Sequence, residues 1–327
     1  MTMCLNSIIR MIMMISMLTV PLSMFAAKAD KEFLHAIQYG AVAELLVRVV
    51  DDEGRPVDGA KVDARFDSAM LAPGEVKIVS TDTNGVAMIT GKTGKSVSIR
   101  VSKNGYYNSR DELCYVSMGH GVKGGKWLPW NMEKLIVLRP VKQPKAEEHK
   151  IRGYKYTKRI GEWLKFDLEY GDFVSPHGQG KIGDFDVRFN WNGKMDNEYT
   201  GMSVEIRFEE KYSGGCLVNK AMSSDFKGAY VFPVSKHLSQ EFTYFAREKR
   251  NPQTGDLIKR EENKFDETKV MTVRSRCEVD PITGRLLKCH YSQISNIIFG
   301  CGPDGIVFLV KAVFNPTPND TNLEPKR

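Results

Sequence analysis

Short stretches in which hydrophobic and polar residues alternate run along most of this chain. In residues 61–67 the apolar Val62, Ala64 and Phe66 alternate with charged residues. Such alternation predicts a strand that buries one face. Turn sequences rich in Gly, Asp and Asn separate about six or seven such strands within residues 44–140, which is the spacing typical of a β-sandwich.

The chain beyond residue 160 shows the same period of two. Residues 184–191 alternate aromatic or aliphatic residues with Asp, Arg and Asn, and residues 203–210 alternate apolar residues with Glu and Arg. Residues 305–314 are apolar on both faces, as expected of a central strand. No stretch of about 12 residues or more has a period of 3.6. The sequence therefore predicts an all-β chain whose second domain, residues 161–316, is mainly antiparallel.

Composition marks the segments that lie outside the two predicted domains. Residues 30–43 form an N-terminal segment before the first domain. Residues 141–160 are charged, contain Pro and have few aliphatic side chains, which predicts a linker. Residues 317–327 are polar and contain Pro, which predicts an extended tail.

The first 29 residues have the three-part layout of a secretory signal peptide. A basic start ends at Arg10, residues 11–25 are almost wholly apolar, and residues 27–29 fit an A-x-A cleavage site before Asp30. The alternative is a membrane anchor, but the uncharged run of about 17 residues contains Pro21 and is at the short limit for a span. We expect a cleaved signal and an exported protein, in the periplasm, on the outer surface or outside the cell.

The charge of the chain does not indicate a nucleic-acid partner. The chain has 47 Lys and Arg against 40 Asp and Glu. Loss of Arg10 and Lys28 with the signal leaves 47 minus 2 basic residues against 40 acidic ones, a net charge of about +5. The basic residues are interspersed with acids rather than clustered, which is typical of a solvated surface. No transmembrane span is expected after signal cleavage.

Three segments of the first domain carry a resemblance to a known family. They are VRVVDDEGRPVDGAKV at 47–62, STDTNGVAMI at 80–89 and VSIRVSKNGYY at 97–107. Together they resemble the carboxypeptidase regulatory-like domain, with its D-x-x-G-x-P turn, T-D-x-x-G turn and late K-x-G-[YF]. The resemblance implies an Ig- or transthyretin-like β-sandwich at residues 44–140 and says little about activity. It does not extend to a zinc carboxypeptidase, because no H-x-x-E pair occurs in the chain.

Two loops of the second domain are near copies, NPQTGDLIK at 251–259 and DPITGRLLK at 280–288. Each copy places Pro at the first central position of a type I turn and Gly where a left-handed bulge residue is needed. We interpret both as hairpin loops that join consecutive antiparallel strands. This interpretation places four strands of the second domain side by side.

Five cysteines remain after the signal, and an exported protein can form disulfides. They are Cys114, Cys216, Cys277, Cys289 and Cys301. Because five is odd, at least one is unpaired within the chain. In a regular hairpin with Asp280 opposite Arg285, Cys277 and Cys289 would point to opposite faces. A bond between them is then disfavoured unless a bulge intervenes.

Patterns for metal, cofactor and nucleophile sites are weak. The six His show no i, i+2 or i, i+4 pairs, and no C-x-x-C occurs. Cys216 follows two Gly, which suits an oxyanion loop, but no general base can be assigned and a packed thiol is the simpler interpretation. Asp184 and Asp186 share a strand face, which suits either paired carboxylates or an ordinary solvent face. The sequence assigns no catalytic, cofactor-binding or metal-binding residue.

Trp127 and Trp130 are the candidate ligand residues. They lie in the Gly- and Pro-rich loop GGKWLPW. Exposed loop Trp rings can form a platform for sugars or peptides. The alternative places one or both in the core or between the domains. Trp163 and Trp191 lie in strand-like patterns and are expected in the core.

Taken together, these features favour an exported, non-catalytic binding or structural protein of the bacterial cell envelope or exterior. Its partner would be a protein or a glycan at the cell surface. The alternative is an exported glycan or peptide hydrolase with its site in residues 161–316. In that case the first domain would be an accessory, since such sandwich domains commonly accompany exported catalytic domains.

Overall fold

The chain is all-β, as the sequence predicts, and forms several mainly antiparallel sheets. The computed structural model describes residues 31–117, 119, 121–148, 154–191, 199–302 and 305–326. The predicted signal peptide, residues 1–29, lies outside the described residues. In the described part, no helix is both long and apolar enough to cross a membrane. The chain divides into unit 1, which runs to residue 104 and includes 108–138, and unit 2, which holds 105–107 and everything from 139 on.

Unit 1 consists of one helix and two sheets in its described part. Its elements are α1 Lys31–Tyr39, β1 Ala41–Asp51, β2 Lys61–Phe66, β3 Glu75–Ser80, β4 Val86–Thr93, β5 Ser96–Ser102, β6 Ser109–Cys114, β7 Val122–Lys123, β8 Lys126–Trp127 and β9 Met132–Leu138. In the first sheet, β1 pairs antiparallel with β4 and parallel with β8 and β9, and β7 pairs with β8. The second sheet runs in the order β3-β2-β5-β6.

The alternation in the sequence sets the core of unit 1. The predicted inward residues of β2, namely Val62, Ala64 and Phe66, are at most 2% exposed. The inward residues of β5 are equally buried, and β1 alternates buried and half-buried positions along its whole length. The predicted strand faces are therefore confirmed, because successive side chains of a strand point to opposite faces.

The described residues of unit 2 form two six-stranded sheets. Its strands are β10 Glu147–Glu148, β11 Lys155–Thr157, β12 Trp163–Asp167, β13 Asp172–Phe173, β14 Phe185–Asn190, β15 Tyr199–Arg207, β16 Gly214–Asn219, β17 Glu241–Arg250, β18 Leu257–Asn263, β19 Lys269–Val279, β20 Leu286–Gly302 and β21 Gly305–Asn315. One sheet runs β10-β21-β20-β19-β16 with β11 also on β21, and the other runs β13-β12-β14-β15-β17-β18. Both sheets contribute to one aromatic core, where Phe166 contacts Phe185 and Phe308. Unit 2 is therefore a β-sandwich.

Within the predicted linker 141–160, the described residues 141–148 and 154–160 differ from a linker. They contribute β10 and β11, which both pair antiparallel with β21. Polar and charged side chains suit such positions, because an edge strand pairs on one side only and is protected by charge on the other. Composition alone does not distinguish an edge strand of this kind from a linker.

The C-terminal residues, predicted to form an extended tail at 317–327, are packed into unit 2. Leu323 is fully buried and Glu324 is 1% exposed. The Glu324 carboxylate accepts the N–H of Lys142 at 2.9 Å and that of Gln143 at 2.6 Å. These donors compensate for the loss of water around a buried carboxylate.

The two repeated loops have the same geometry, as predicted. Gly255 N–H donates to the carbonyl of Asn251 at 2.8 Å, and Gly284 N–H donates to that of Asp280 at 2.9 Å. Both Gly residues have positive φ, +76° and +68°, a conformation that Gly adopts without strain. The first loop joins β17 to β18 and the second joins β19 to β20.

The predicted arrangement of these four strands side by side is wrong. β17 and β18 end one sheet of unit 2, whereas β19 and β20 lie within the other. The chain crosses between the sheets after β18, and Phe265 in this crossing is 3% exposed in the shared core. A loop sequence specifies a hairpin but not the sheet that the hairpin joins.

A bulge also changes the predicted register of β19 and β20. Next to the Ser275–His290 pair, Arg276 and Cys277 lie together opposite the single residue Cys289. Arg276 has a φ of +51°. The extra residue moves Cys277 to the face that Cys289 occupies, because each residue of a strand reverses the side-chain direction. The expectation that the two cysteines point to opposite faces is therefore wrong.

Candidate functional site

Trp127 is a core residue of unit 1. Its ring is fully buried, stacks on Tyr115 with centroids 5.2 Å apart and meets Phe33 edge-on at 5.8 Å. Its indole N–H donates to the carbonyl of Thr93 at 2.9 Å. The ring has no face free for a ligand. Trp127 is therefore a core residue and not part of a ligand platform.

Trp130 is half-buried at the surface of unit 1. The ammonium group of Lys126 lies over its ring, 4.2 Å from the centroid. Trp127 and Trp130 therefore do not make the exposed platform of two rings that the sequence suggests. A single ring under a Lys side chain offers a much smaller apolar surface than a platform of two rings.

Two Trp residues that the sequence assigns to the core of unit 2 reach its surface instead. Trp191 is 39% exposed, and Trp163 is half-buried. Phe189 is the last fully buried residue of β14, so the core ends before the alternation reaches Trp191. The alternation in the sequence continues to Trp191, although the core covers the strand only as far as Phe189.

The Trp163 ring carries two guanidinium groups. Trp163 of β12 lies directly opposite Arg188 of β14 in the sheet. The Cζ atoms of Arg188 and Arg207 lie 4.6 Å and 4.0 Å from the ring centroid. The Nε atoms of both Arg residues are buried and have no hydrogen-bond partner within the described chain, which fits groups that lie against an aromatic ring. We call Trp163, Lys165, Asp186, Arg188, Glu205 and Arg207 the Trp163 face.

Cross-strand ion pairs hold the two Arg residues of the Trp163 face. Arg188 Nη2 lies 2.5 Å from Glu205 Oε2, and Arg207 Nη2 lies 3.1 Å from Asp186 Oδ2. Opposite charges on neighbouring strands attract each other across the ladder and hold both side chains in place. The result is an aromatic surface on one side of the sheet, with three basic and two acidic side chains.

A second charged group is buried at the bulge in β19. The Arg276 side chain is 8% exposed, and its Nε lies 3.0 Å from Asp184 Oδ1. Its Nη2 lies 2.9 Å from Asp167 Oδ1, and its Nη1 lies 2.6 Å from Glu169 Oε2. The guanidinium also stacks on Phe314 at 4.5 Å. We call Arg276, Asp167, Glu169 and Asp184 the Arg276 cluster.

Asp184 is surrounded by donors. Besides Arg276, its carboxylate accepts the hydroxyl of Ser275 and the N–H of Leu168, each at 2.6 Å. Burial raises the pKa of Asp184 to about 6, although these three donors lower it. Asp186 is bonded instead to Arg207 on the Trp163 face. The two carboxylates that share a strand face in the sequence therefore have separate partners and do not form an acid–base pair.

The thiols of unit 2 are packed or protonated. Cys216 is 8% exposed, and its Sγ lies 3.1 Å from the hydroxyl of Thr272. Burial raises the pKa of Cys277 to about 11, which disfavours the reactive thiolate at neutral pH. Among the residues described, no three His, Cys, Asp or Glu side chains come together as metal ligands.

The motif residues of unit 1 brace its turns. Thr81 Oγ1 accepts the N–H of Ala60 at 2.8 Å and donates to the carbonyl of Val57 at 2.7 Å. Asp51 accepts the N–H of Arg55 at 2.9 Å. The D-x-x-G-x-P turn and the T-D-x-x-G turn are thus joined by the Thr81 hydroxyl, which gives these residues a structural role.

Sequence reasoning missed both the Trp163 face and the Arg276 cluster. Trp163 meets Arg207 only because β12, β14 and β15 are neighbours in one sheet. The charged positions of β14 and β15 were visible as alternation, but the order of the strands was not. Arg276 gave no signal, since positive φ is expected at Gly or Asn rather than at Arg.

Comparisons with known proteins do not assign a family to this all-β protein. No model of a known protein family matches the chain, and no curated protein matches it. Similarity is found at the level of solved structures, and three of them have 12–13% identity to this chain.

Three of these structures are a dioxygenase and two pilins. The match to 3-chlorocatechol 1,2-dioxygenase from Rhodococcus opacus 1CP has 13% identity and a TM-score of 0.25. It covers 31% of this chain and 61% of the dioxygenase chain, which is less than two thirds of the dioxygenase's length. The shaft pilin SpaA from Lactobacillus rhamnosus GG has 12% identity and a TM-score of 0.23, with 68% of this chain and 92% of the pilin covered. The full-length major pilin SpaD from Corynebacterium diphtheriae has 12% identity and a TM-score of 0.23, with 87% and 83% covered. At these TM-scores the likenesses carry no argument about function.

Proposed function

We propose that this protein is an exported, non-catalytic binding or structural protein of the bacterial cell envelope or exterior. We further propose that it binds a protein partner through the Trp163 face. Export rests on the signal-peptide layout of residues 1–29. Binding rests above all on one observation, the surface Trp163 ring that carries Arg188 and Arg207.

The residue types of the Trp163 face favour a protein partner. Trp and Arg are enriched among the residues that contribute most to protein–protein binding. Glu205 and Asp186 already hold Arg188 and Arg207 in place, so less side-chain freedom is lost when a partner binds. The face lies on a sheet surface rather than in the concave cleft that a small ligand requires.

The free edge of the same sheet supports this proposal. Among the described strands, β18 is paired only with β17, and nearly all its residues are exposed. An edge strand offers backbone donors and acceptors to a strand of another protein. A partner on the Trp163 face can therefore extend its contact to this edge.

The contacts of the candidate catalytic groups favour binding over the hydrolase alternative with a site in residues 161–316. Asp184 is bonded to Arg276 and Asp186 to Arg207. A general base needs a carboxylate that is free to accept a proton from the substrate or a water. Carboxylates that are bonded to Arg in this way are suited to stabilising the fold rather than to accepting a proton.

The resemblance of residues 44–140 to a carboxypeptidase regulatory-like domain also enters the proposal. Asp51 and Thr81, which belong to the motif, hold the two signature turns. Unit 1 contains the two sheets that a sandwich requires. In this proposal unit 1 is an accessory domain and unit 2 carries the binding surface.

Binding to isolated envelopes tests the proposal. The purified chain is labelled and titrated onto cell envelopes of its own bacterium, and bound protein is measured after sedimentation. We expect saturable binding that Trp163→Ala weakens by about tenfold or more, because a central Trp commonly contributes that much. Trp130→Ala is the matched control, since it removes a half-buried Trp of unit 1 and should leave binding unchanged.

The same assay separates the alternatives. Protease treatment of the envelopes should abolish binding, whereas loss of binding only after glycan digestion would show a glycan partner and overturn the protein-partner proposal. Equal binding of wild type and Trp163→Ala would remove the Trp163 face from the proposal. Turnover of polysaccharides or peptides by the purified chain would favour the hydrolase.

A further inference from the structure

We propose that Cys277 and Cys289 form a disulfide bond across the bulge between β19 and β20. The site is defined by the positions of the two residues, which are free thiols in this structure. Its occurrence in the cell rests on the proposed export, because disulfides persist in oxidising compartments.

The bulge places the two cysteines opposite each other. The regular pairs on either side are Ser275 with His290 and Glu278 with Lys288. Between these pairs β19 has two residues and β20 has only Cys289. Directly opposed residues of an antiparallel pair have Cα atoms roughly 4.5–5.5 Å apart, which lies inside the range that a disulfide spans.

The two residues of the bulge point in different directions. Arg276 contacts Asp184, the same carboxylate that Ser275 contacts, so both face the Arg276 cluster. Cys277 follows Arg276 and therefore faces the other side of the sheet. His290 stacks on Phe314 on the side of the Arg276 cluster, so its neighbour Cys289 also faces away from it.

A small separate core confirms that the two thiols share one side. Cys289 is 1% exposed and belongs to a buried cluster with Phe232, Tyr291 and Leu323. Cys277 packs against this same cluster. Negative charge on Cys289 also raises the pKa of Cys277, although burial is the larger cause. Electrostatic coupling of this kind requires that the two groups lie close together.

The reaction is a two-electron oxidation by thiol–disulfide exchange. The Cys277 and Cys289 thiols lose two protons and two electrons and form one S–S bond. The electrons and protons pass to an acceptor disulfide, either oxidised glutathione or the disulfide of an oxidoreductase, which leaves as two thiols. The thiols of Cys114, Cys216 and Cys301 take no part in this bond.

The buried position of Cys277 indicates when the bond forms. With a pKa of about 11, about one Cys277 thiol in a thousand is ionised at pH 8, and only the thiolate attacks a disulfide. Before folding, its ordinary value of 9.0 leaves about a hundredfold more thiolate. In the folded chain Cys289 is also 1% exposed, and both cysteines pack against Phe232, Tyr291 and Leu323. We therefore infer that the bond forms while the hairpin assembles, before these side chains cover the two thiols.

Refolding followed by peptide mapping tests the bond. The full chain is unfolded and reduced, then refolded in a mixture of reduced and oxidised glutathione, and the remaining thiols are alkylated. Trypsin releases residues 277–285 and residues 289–311 as separate peptides, because cleavage follows Arg276, Arg285 and Lys288. We expect these peptides to be linked without reductant and to separate after reduction. In chain folded under reducing conditions first, linkage should be at least about tenfold slower, because the greater nucleophilicity of a high-pKa thiolate offsets part of its scarcity.

Two variants assign the bond, because the second peptide also contains Cys301. Cys301→Ser should keep the linked peptides, and Cys289→Ser should lose them. Alkylation of all five thiols that follow residue 29 in refolded wild type, or linkage that Cys301→Ser abolishes, would overturn the proposal. Chain taken directly from cells tests export separately: linkage after refolding but free thiols in cells would leave the site intact and contradict the proposed export.

Discussion

Arg276 and Asp184 form a bidentate ion pair inside unit 2. Arg276 Nε lies 3.0 Å from Asp184 Oδ1, and Nη2 lies 3.0 Å from Oδ2. The Arg276 side chain is 8% exposed, so the guanidinium has little water around it. The pair joins β19 to the segment that leads into β14 and so connects the two sheets of the sandwich.

Replacement of Arg276 tests how much this ion pair contributes to the stability of the fold. Arg276→Met keeps the length of the side chain but leaves Asp184 and Asp167 buried without their cation. We expect a loss of about 3–5 kcal/mol in the free energy of unfolding, which is the usual cost of breaking a buried pair on one side. Urea unfolding followed by intrinsic Trp fluorescence measures it.

Arg250→Met is the matched control for Arg276→Met. Arg250 pairs with Glu248 at 2.8 Å, but Arg250 is exposed and Glu248 is only half-buried. A surface pair of this kind contributes about 0–1 kcal/mol. Equal destabilisation by the two substitutions would contradict a special role for the buried pair.

The Arg276 cluster also marks where prediction from sequence stops. Strand faces such as that of Val62, Ala64 and Phe66 follow from a period of two and were predicted correctly. The bulge at Arg276 breaks this period without any Gly or Asn to announce it. One inserted residue reverses every later side chain in a strand, so the faces of Cys277 and of the charged cluster could be known only from the structure.

The acid stability of unit 1 is expected to depend on Asp51. Burial raises the pKa of the Asp51 carboxyl, but hydrogen bonds from Arg55 and Glu53 outweigh burial, and the pKa lies below its ordinary 3.8. A lowered folded-state pKa stabilises the fold above the unfolded value, and this stabilisation is lost as pH falls through the folded value. Asp51→Asn should cost about 1–3 kcal/mol above pH 5 and progressively less below pH 4.

Chemical denaturation of wild type and Asp51→Asn at a series of pH values between about 2 and 7 measures this effect. Asp58→Asn is the control, because Asp58 is an exposed carboxylate of the same turn region and should change stability little at any pH. A stability difference for Asp51→Asn that grows as pH falls would contradict the assigned sign.

Two glycines with the same backbone conformation should respond differently to Ala. Gly85 and Gly255 have φ values of +72° and +76°. A Cβ at Gly85 would lie 2.4 Å from the carbonyl oxygen of Val49, whereas nothing lies within 4 Å of one at Gly255. Gly255→Ala therefore meets only the left-handed strain of about 1–2 kcal/mol, and Gly85→Ala adds a clash that costs about 1–3 kcal/mol more.

Thermal or urea unfolding of the two Ala variants gives the comparison directly, since each variant is the other's control. A loss at Gly255 as large as that at Gly85 would show that conformational strain alone decides both. The Gly85 position could be predicted from the T-D-x-x-G motif, because that turn requires a left-handed residue. The contact with Val49 could not, because it depends on how closely β1 approaches the turn.

The reactivity of the cysteines in reduced protein should follow their surroundings. Hydrogen bonds from the Ser117 side chain and backbone lower the pKa of Cys114, whereas burial raises that of Cys277 to about 11. Alkylation proceeds through the thiolate. At pH 8 we expect iodoacetamide to modify Cys114 at least about tenfold faster than Cys277.

Mass spectrometry of tryptic peptides after timed alkylation measures the two rates. In urea both thiols should react at the same rate, because the contacts that separate their pKa values exist only in the folded chain. If Cys277 reacted as fast as Cys114 in the native protein, the burial of Cys277 against Phe232, Tyr291 and Leu323 would be contradicted. The inference that its disulfide forms before burial would lose its basis with it, since that order of events depends on the high pKa of Cys277 in the folded chain.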